Sequence, residues 1–175
     1  LTATLLLLVY LKVKTLYGWG VFLCFSFFTL SLIPISFIDL KIKEIPDVLT
    51  FGLIFGGWFF SLIGFNPFLD FITSLLSGFA GIGLLFLINE LYYHFSGRDG
   101  MGMGDFKLMG GIGAFLGYKS FYWILVVASV TGILAFLGVW IWFRLKGISR
   151  ELNLKTEIPF GPFLALASLL YFFLT

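Results

Sequence analysis

Two aspartates, Asp39 and Asp105, stand beside long apolar runs, in Ile38-Asp39-Leu40 and in Gly102-Met103-Gly104-Asp105. A carboxylate near hydrocarbon costs several kcal/mol in its charged form, so its presence needs a reason. Two such groups facing each other cannot easily both ionise, and one keeps a proton that a free Asp would lose. Such a pair suits amide hydrolysis: the ionised member takes a proton from water and the protonated member polarises the carbonyl. No Ser/His or Cys/His arrangement competes, because His94 is the only histidine and Cys24 lies inside an apolar run.

The residues around the acids suggest supporting roles. Gly100, Gly102 and Gly104 leave the backbone uncovered and free to adopt positive φ, so an extended strand could lie beside Asp105. The same glycines also suit an ordinary flexible turn. Pro46-Asp47 opens an apolar run, where helix N-capping by Asp47 is the default expectation. Lys107 is either a snorkelling lysine or a cation that favours ionised Asp105. Asp70 reads as a first-turn acid favoured by the helix dipole, Arg98 and Asp99 as a surface pair, and Glu90 and His94 as interfacial side chains. No Cys or His cluster indicates a metal. At this level the acids have two readings: a catalytic pair, or helix-end acids interacting with water and nearby lysines.

The elements that must position these residues are membrane helices. The chain has 175 residues, 60% hydrophobic and 11% charged, with mean hydropathy +1.07, too little polar surface for a soluble domain. A net charge of +2 from scattered basic residues excludes a nucleic-acid footprint. The apolar runs predict an all-α, polytopic transmembrane helix bundle of about seven crossings, one domain over 1–175. They run to about Leu11, from Thr15 to Ile38 with a kink expected at Pro34, and from Val48 to Phe65. Phe68 to Tyr93, Leu108 to Tyr118, Ser120 to Phe143 and Ile158 to Thr175 complete the set. The polar segments at 39–47 and 94–107 are read as breaks between them. Leu1 is not an initiator methionine and its run is short, so the chain is expected to be a piece of a longer protein, with no cleavable signal peptide.

Charge placement orients the bundle. Alternate breaks at 39–47, 94–107 and 144–157 hold eight Lys or Arg residues, against three in the other breaks, which puts the first set on the cytoplasmic side. Asp39 and Asp105, 66 positions apart, are then expected at similar depth on that side. Small residues at i and i+4, as in the Gly110 to Gly117 run, Gly52 with Gly56 and Ser74 with Gly78, predict close helix packing.

The run Gly97-Arg98-Asp99-Gly100-Met101-Gly102-Met103-Gly104-Asp105-Phe106-Lys107-Leu108 resembles the second signature of bacterial type IV prepilin peptidases, GxGD-type membrane aspartyl proteases. Phe37-Ile38-Asp39-Leu40 through Ile45-Pro46-Asp47 resembles their first signature, and Ile158 to Ala165 their C-terminal segment. The resemblance implies catalysis by Asp39 and Asp105, with Gly102 and Gly104 shaping the cleft and Pro46 and Asp47 completing the first signature. It implies, as substrate, the leader of a prepilin or type II secretion pseudopilin, cut at the cytoplasmic face of the bacterial inner membrane, commonly between Gly and Phe. Proteolysis would need no cofactor, whereas many members then methylate the new N-terminus with S-adenosylmethionine. The family's first membrane helix and cysteine-bearing segment, linked to methylation and zinc, are not in these residues. A proton- or ion-conducting transporter subunit and a structural membrane partner are the rival classes.

Overall fold

The computed structural model describes residues 2–14, 18–145 and 159–175. The Ile158 start, the Thr15 start, and the lysines and arginine at 146, 150 and 155 lie outside the described residues. Within them the chain forms seven α-helices: α1 Thr2–Lys14, α2 Trp19–Ile42, α3 Asp47–Leu62, α4 Phe71–Ser96, α5 Met103–Leu116, α6 Phe121–Leu145 and α7 Gly161–Leu174. A single 3-10 turn, Tyr118–Ser120, joins α5 to α6, and among the described residues there is no strand. Three stretches, Trp19–Ile42, Phe71–Ser96 and Tyr118–Trp142, are long and apolar enough to cross a membrane, while Thr2–Val13, Asp47–Leu62 and Gly161–Leu174 are shorter apolar helices.

Two boundaries differ from the sequence expectation in ways that matter. The break expected to begin at Asp39 begins later, because α2 runs through Pro34 and ends only at Ile42, so Asp39 lies in its last turn. Lys43 then ends the helix in the left-handed conformation (φ 60°), donating its N–H to the Asp39 carbonyl at 2.9 Å. Likewise α5 starts at Met103, inside the glycine-rich segment, which puts Asp105 in its first turn. Each acid is therefore held by a helical backbone rather than by a loop.

The centre of the bundle is α5. Every residue from Leu108 to Leu116 is buried, and its 14 residues give about 21 Å at 1.5 Å per residue, short of a ~30 Å hydrocarbon core. The helix packs chiefly on α4 and α3 and also touches α7. Its small residues allow this. A Cβ at Gly110 would stand 2.6 Å from Ile82, one at Gly111 2.6 Å from Leu53, and one at Gly57 of α3 2.7 Å from Ala114. The small-residue reading fails at Gly52, where a Cβ would meet nothing within 4 Å. Buried hydroxyls add hydrogen bonds across the same seam: Ser74 Oγ donates to the Ala114 carbonyl at 2.7 Å, and Tyr118 N–H donates to Ser77 Oγ at 3.1 Å. Large apolar side chains point outward instead, among them Phe55, Phe59, Leu76, Phe79, Leu87, Ile133 and Leu134. Small residues inside and bulky ones outside is the arrangement expected where lipid replaces water. The molecule is an integral membrane protein.

One close backbone approach gives a direct test. A Cβ on Gly81 would lie 2.6 Å from the Met109 carbonyl oxygen and 3.0 Å from its carbon, atoms that cannot rotate away. Gly81→Ala is expected to destabilise the bundle by about 1–3 kcal/mol through overpacking. Gly83→Ala, which meets nothing within 4 Å, should show no such loss. Thermal unfolding of both variants in detergent makes the comparison.

Candidate active site

At the end of the bundle where α2 and α4 finish and α3, α5 and α7 begin, Asp39 and Asp105 border the same hollow space. It comprises two adjoining cavities of about 260 Å³ each, and Asp39, Lys43, Gly102 and Asp105 line both. Glu44, Ile45, Met103 and Gly104 complete one, and Asp99, Gly100, Met101, Pro159 and Phe160 the other. The two carboxyl groups are close enough for their charges to interact. Their side chains are almost wholly withdrawn from the surface, at 4% exposure for Asp39 and 9% for Asp105. Helix-end acids simply facing water would be exposed.

Asp39 is fixed from two directions. Its own helix holds the backbone, and the Gly161 N–H at the start of α7 donates to its Oδ2 at 2.9 Å. Only a glycine fits there: a Cβ would stand 2.7 Å from that same oxygen and 3.0 Å from Ile45 Cδ1. Ile45 is a wedge in the α2–α3 connection. It also occupies the space a side chain at Gly104 would need, 2.8 Å from Ile45 Cβ. Glycines on α5 and α7 thus let one buried isoleucine sit between those two helices, beside Asp39.

Gly102 and Gly104 shape the hollow, though not by the freedom expected of them. Among the described residues the positive-φ glycines are Gly64, Gly97 and Gly117, and Gly102 is an ordinary extended N-cap (φ −77°, ψ 152°). What Gly100 and Gly104 contribute is missing volume, against Tyr92 and Ile45 respectively. The Asp105 N–H donates to the Gly102 carbonyl at 3.1 Å, which ties the acid's backbone to the wall beside it.

Lys107 and Asp47 meet one another instead of the acids. The Lys107 ammonium lies 2.6 Å from Asp47 Oδ1 and 5.2 Å from the centre of the Phe51 ring. Helical periodicity places Lys107 on the side of α5 that faces α3, and that face belongs to Asp47. Asp47, expected to cap α3, is instead its first helical residue; the N-cap is Pro46, and no side chain makes a cap bond there. Since Asp47 is 63% exposed, the pair is worth at most about 1 kcal/mol. Asp70, in contrast, does cap a helix, its Oδ2 accepting the Thr73 N–H at 3.4 Å. The Thr73 side chain first, and then its N–H, hold the Asp70 carboxyl below the usual carboxylate range. Asp99, expected to pair with Arg98, accepts a hydrogen bond from Asn89.

Four residues at the site were not singled out from the sequence. Lys43 and Glu44 sit at the mouth of the hollow, where a break between helices gives charged residues no distinguishing mark. Gly161 belongs to a recognisable segment, yet its bond to Asp39 spans 122 positions. Asn89 stands out only as a polar interruption in an apolar helix. Among the described residues no group of three His, Cys, Asp or Glu side chains is placed to hold a metal ion.

Fold and site together define a helical membrane protein with two buried carboxyl groups brought to one cavity by α2 and α5. The chain matches the type IV leader peptidase family over residues 26–147, and it belongs to that family. It is similar to proteins named prepilin leader peptidase/N-methyltransferase. The one from Aeromonas hydrophila is 35% identical over 150 residues, 86% of this chain and 48% of its own. That of Xanthomonas campestris pv. campestris is 38% identical over 142 residues, 81% and 46%. That of Legionella pneumophila is 35% identical over 158 residues, 90% and 52%. The chain therefore spans about half the length of the curated relatives it matches. No solved structure gives a significant match.

Proposed function

We propose that this chain is the proteolytic part of a membrane aspartyl endopeptidase that removes the N-terminal leader of type IV prepilins or type II secretion pseudopilins. The observation that carries the reading is the meeting of Asp39 and Asp105, both buried, in one cavity at one end of the bundle. In this mechanism one carboxylate takes a proton from a water molecule held between the two acids. The resulting hydroxide attacks the scissile carbonyl, whose oxygen receives a hydrogen bond from the protonated partner. Collapse of the tetrahedral intermediate returns a proton to the leaving amine. The Gly161 N–H lowers the cost of keeping Asp39 ionised in a buried place, which favours Asp39 as the base and Asp105 as the acid.

The excess of lysines and arginines in the breaks at this end supports a cytoplasmic position for the cavity, and with the family resemblance we assign it to the bacterial inner membrane. An α5 shorter than the hydrocarbon core would let the cavity meet a substrate whose apolar helix stays in the bilayer. We assign N-methylation with S-adenosylmethionine to the full-length protein, drawing on chain outside these residues. Among the described residues Phe160 is the single aromatic ring lining the dyad cavity, and we assign that cavity to the peptide rather than to the methyl donor.

The test is incubation of the purified full-length protein with a prepilin and with a pseudopilin, reading the new N-termini by mass spectrometry. Cleavage at the leader junction is expected, and a further gain of one methyl mass would mark the transferase. Ion flux in liposomes with both substrates left intact would overturn the proteolytic reading.

A further inference from the structure

One buried amide in α4 is committed wholly to the wall of the dyad cavity. The helix ends at Ser96, and Gly97 (φ 67°) turns the chain back along the helix it has just left. Two helical turns before that end stands Asn89, 7% exposed. Its Oδ1 accepts both the Gly100 N–H at 2.8 Å and the Met101 N–H at 3.1 Å, and its Nδ2 donates to Asp99 Oδ1 at 3.1 Å. The returning segment fits so closely because residue 100 is glycine, where a Cβ would stand 2.8 Å from the Tyr92 ring. Asp99, Gly100, Met101 and Gly102 then form one side of the cavity that Asp39 and Asp105 share.

We infer that Asn89 is a positioning residue: it fixes the backbone of the 99–102 segment against which substrate must lie to reach the two acids. This rests on the proteolytic reading above. The argument is one of chemistry and geometry. Two adjacent N–H groups need an acceptor, and the neighbouring Asp99 carboxylate needs a donor. An amide side chain supplies both at once, and the demand on each end fixes which way the amide points. Aspartate at this position would keep the acceptor and lose the donor. Glutamine would carry the same groups one methylene too far. A misplacement of about 1 Å at a reacting centre costs roughly 10²-fold in rate, so release of this wall should appear in turnover rather than in folding.

The experiment is a double-mutant cycle in the full-length protein in detergent: wild type, Asn89→Asp, Asp99→Asn, and both together. A leader peptide supplies kcat and KM, and hydrogen exchange follows the Gly100 and Met101 amides. In the wild-type background Asn89→Asp keeps the acceptor but sets two carboxylates face to face, and their repulsion drives the 99–102 segment away from residue 89. There kcat is expected to fall about 10–100-fold, with KM little changed and both amides exchanging faster. In the Asp99→Asn background the same substitution merely exchanges donor and acceptor, so kcat should stay within about twofold of Asp99→Asn alone, with protection regained. Equal losses in both backgrounds, or no loss in either, would overturn the assignment. A wild type that never cuts the peptide overturns the proteolytic reading instead, and the exchange pattern still decides whether Asn89 holds the segment.

Discussion

Replacing either Asp39 or Asp105 with Asn is expected to lower leader cleavage by roughly 10²–10⁴-fold while the bundle stays folded. Asn keeps the size of Asp and one carbonyl oxygen, so at position 39 it can still accept the Gly161 N–H that Asp39 accepts at 2.9 Å. What it lacks is the ability to take or give a proton. Since water activation and carbonyl polarisation each need one of the two carboxyl groups, neither substitution should be milder than the other by much, and the double variant should be little worse than either. That non-additivity is the mark of groups acting as a unit. Single-turnover cleavage followed by mass spectrometry gives the rates, and unfolding in detergent gives the fold. Turnover near the wild-type rate in either variant would remove the dyad from the mechanism.

The second large effect is expected at Gly161, which no proton transfer involves. A methyl group there would stand 2.7 Å from Asp39 Oδ2 and 3.3 Å from its Cγ, so the start of α7 must retreat and the hydrogen bond to Asp39 must lengthen. Hydrogen bonds to charged groups contribute about 1.5–3 kcal/mol, which corresponds to a loss of roughly 10- to 150-fold in kcat for Gly161→Ala. Gly161→Val should lose more, because its branch also meets Ile45, already 3.0 Å from the built Cβ. Gly132→Ala is the control: its Cβ would make an ordinary 3.6 Å contact with Phe163 of the same helix α7, and activity should not change. Wild-type kcat in Gly161→Ala would mean that α7 does not hold the dyad in place.

These two predictions draw on different kinds of information. Asp39 and Asp105 could be chosen from the sequence because an acid beside apolar residues is conspicuous by its cost, and because their surrounding motifs resemble a known family. The helical class was equally plain, since runs of apolar residues near the length of a bilayer core have few other uses. Even the similar depth of the two acids followed from counting lysines and arginines. Local pattern and burial cost are properties of short stretches, and short stretches can be read directly.

Contacts between distant stretches cannot. Lys107 sits two residues from Asp105, yet its partner is Asp47, 60 positions away, because the helix turns the two side chains to different faces. The glycines before Asp105 suggested backbone freedom, whereas the left-handed turn falls at Gly97 and Gly104 serves to admit Ile45. What the sequence by itself determined is therefore a helical membrane protein of this family with two acids at one end. Only the tertiary structure decided that α7 reaches Asp39 through Gly161, that Ile45 wedges between two glycines, and that Asn89 holds the cavity wall. The physical reason is that each of these depends on the space left between packed helices, a quantity set jointly by residues far apart in the chain.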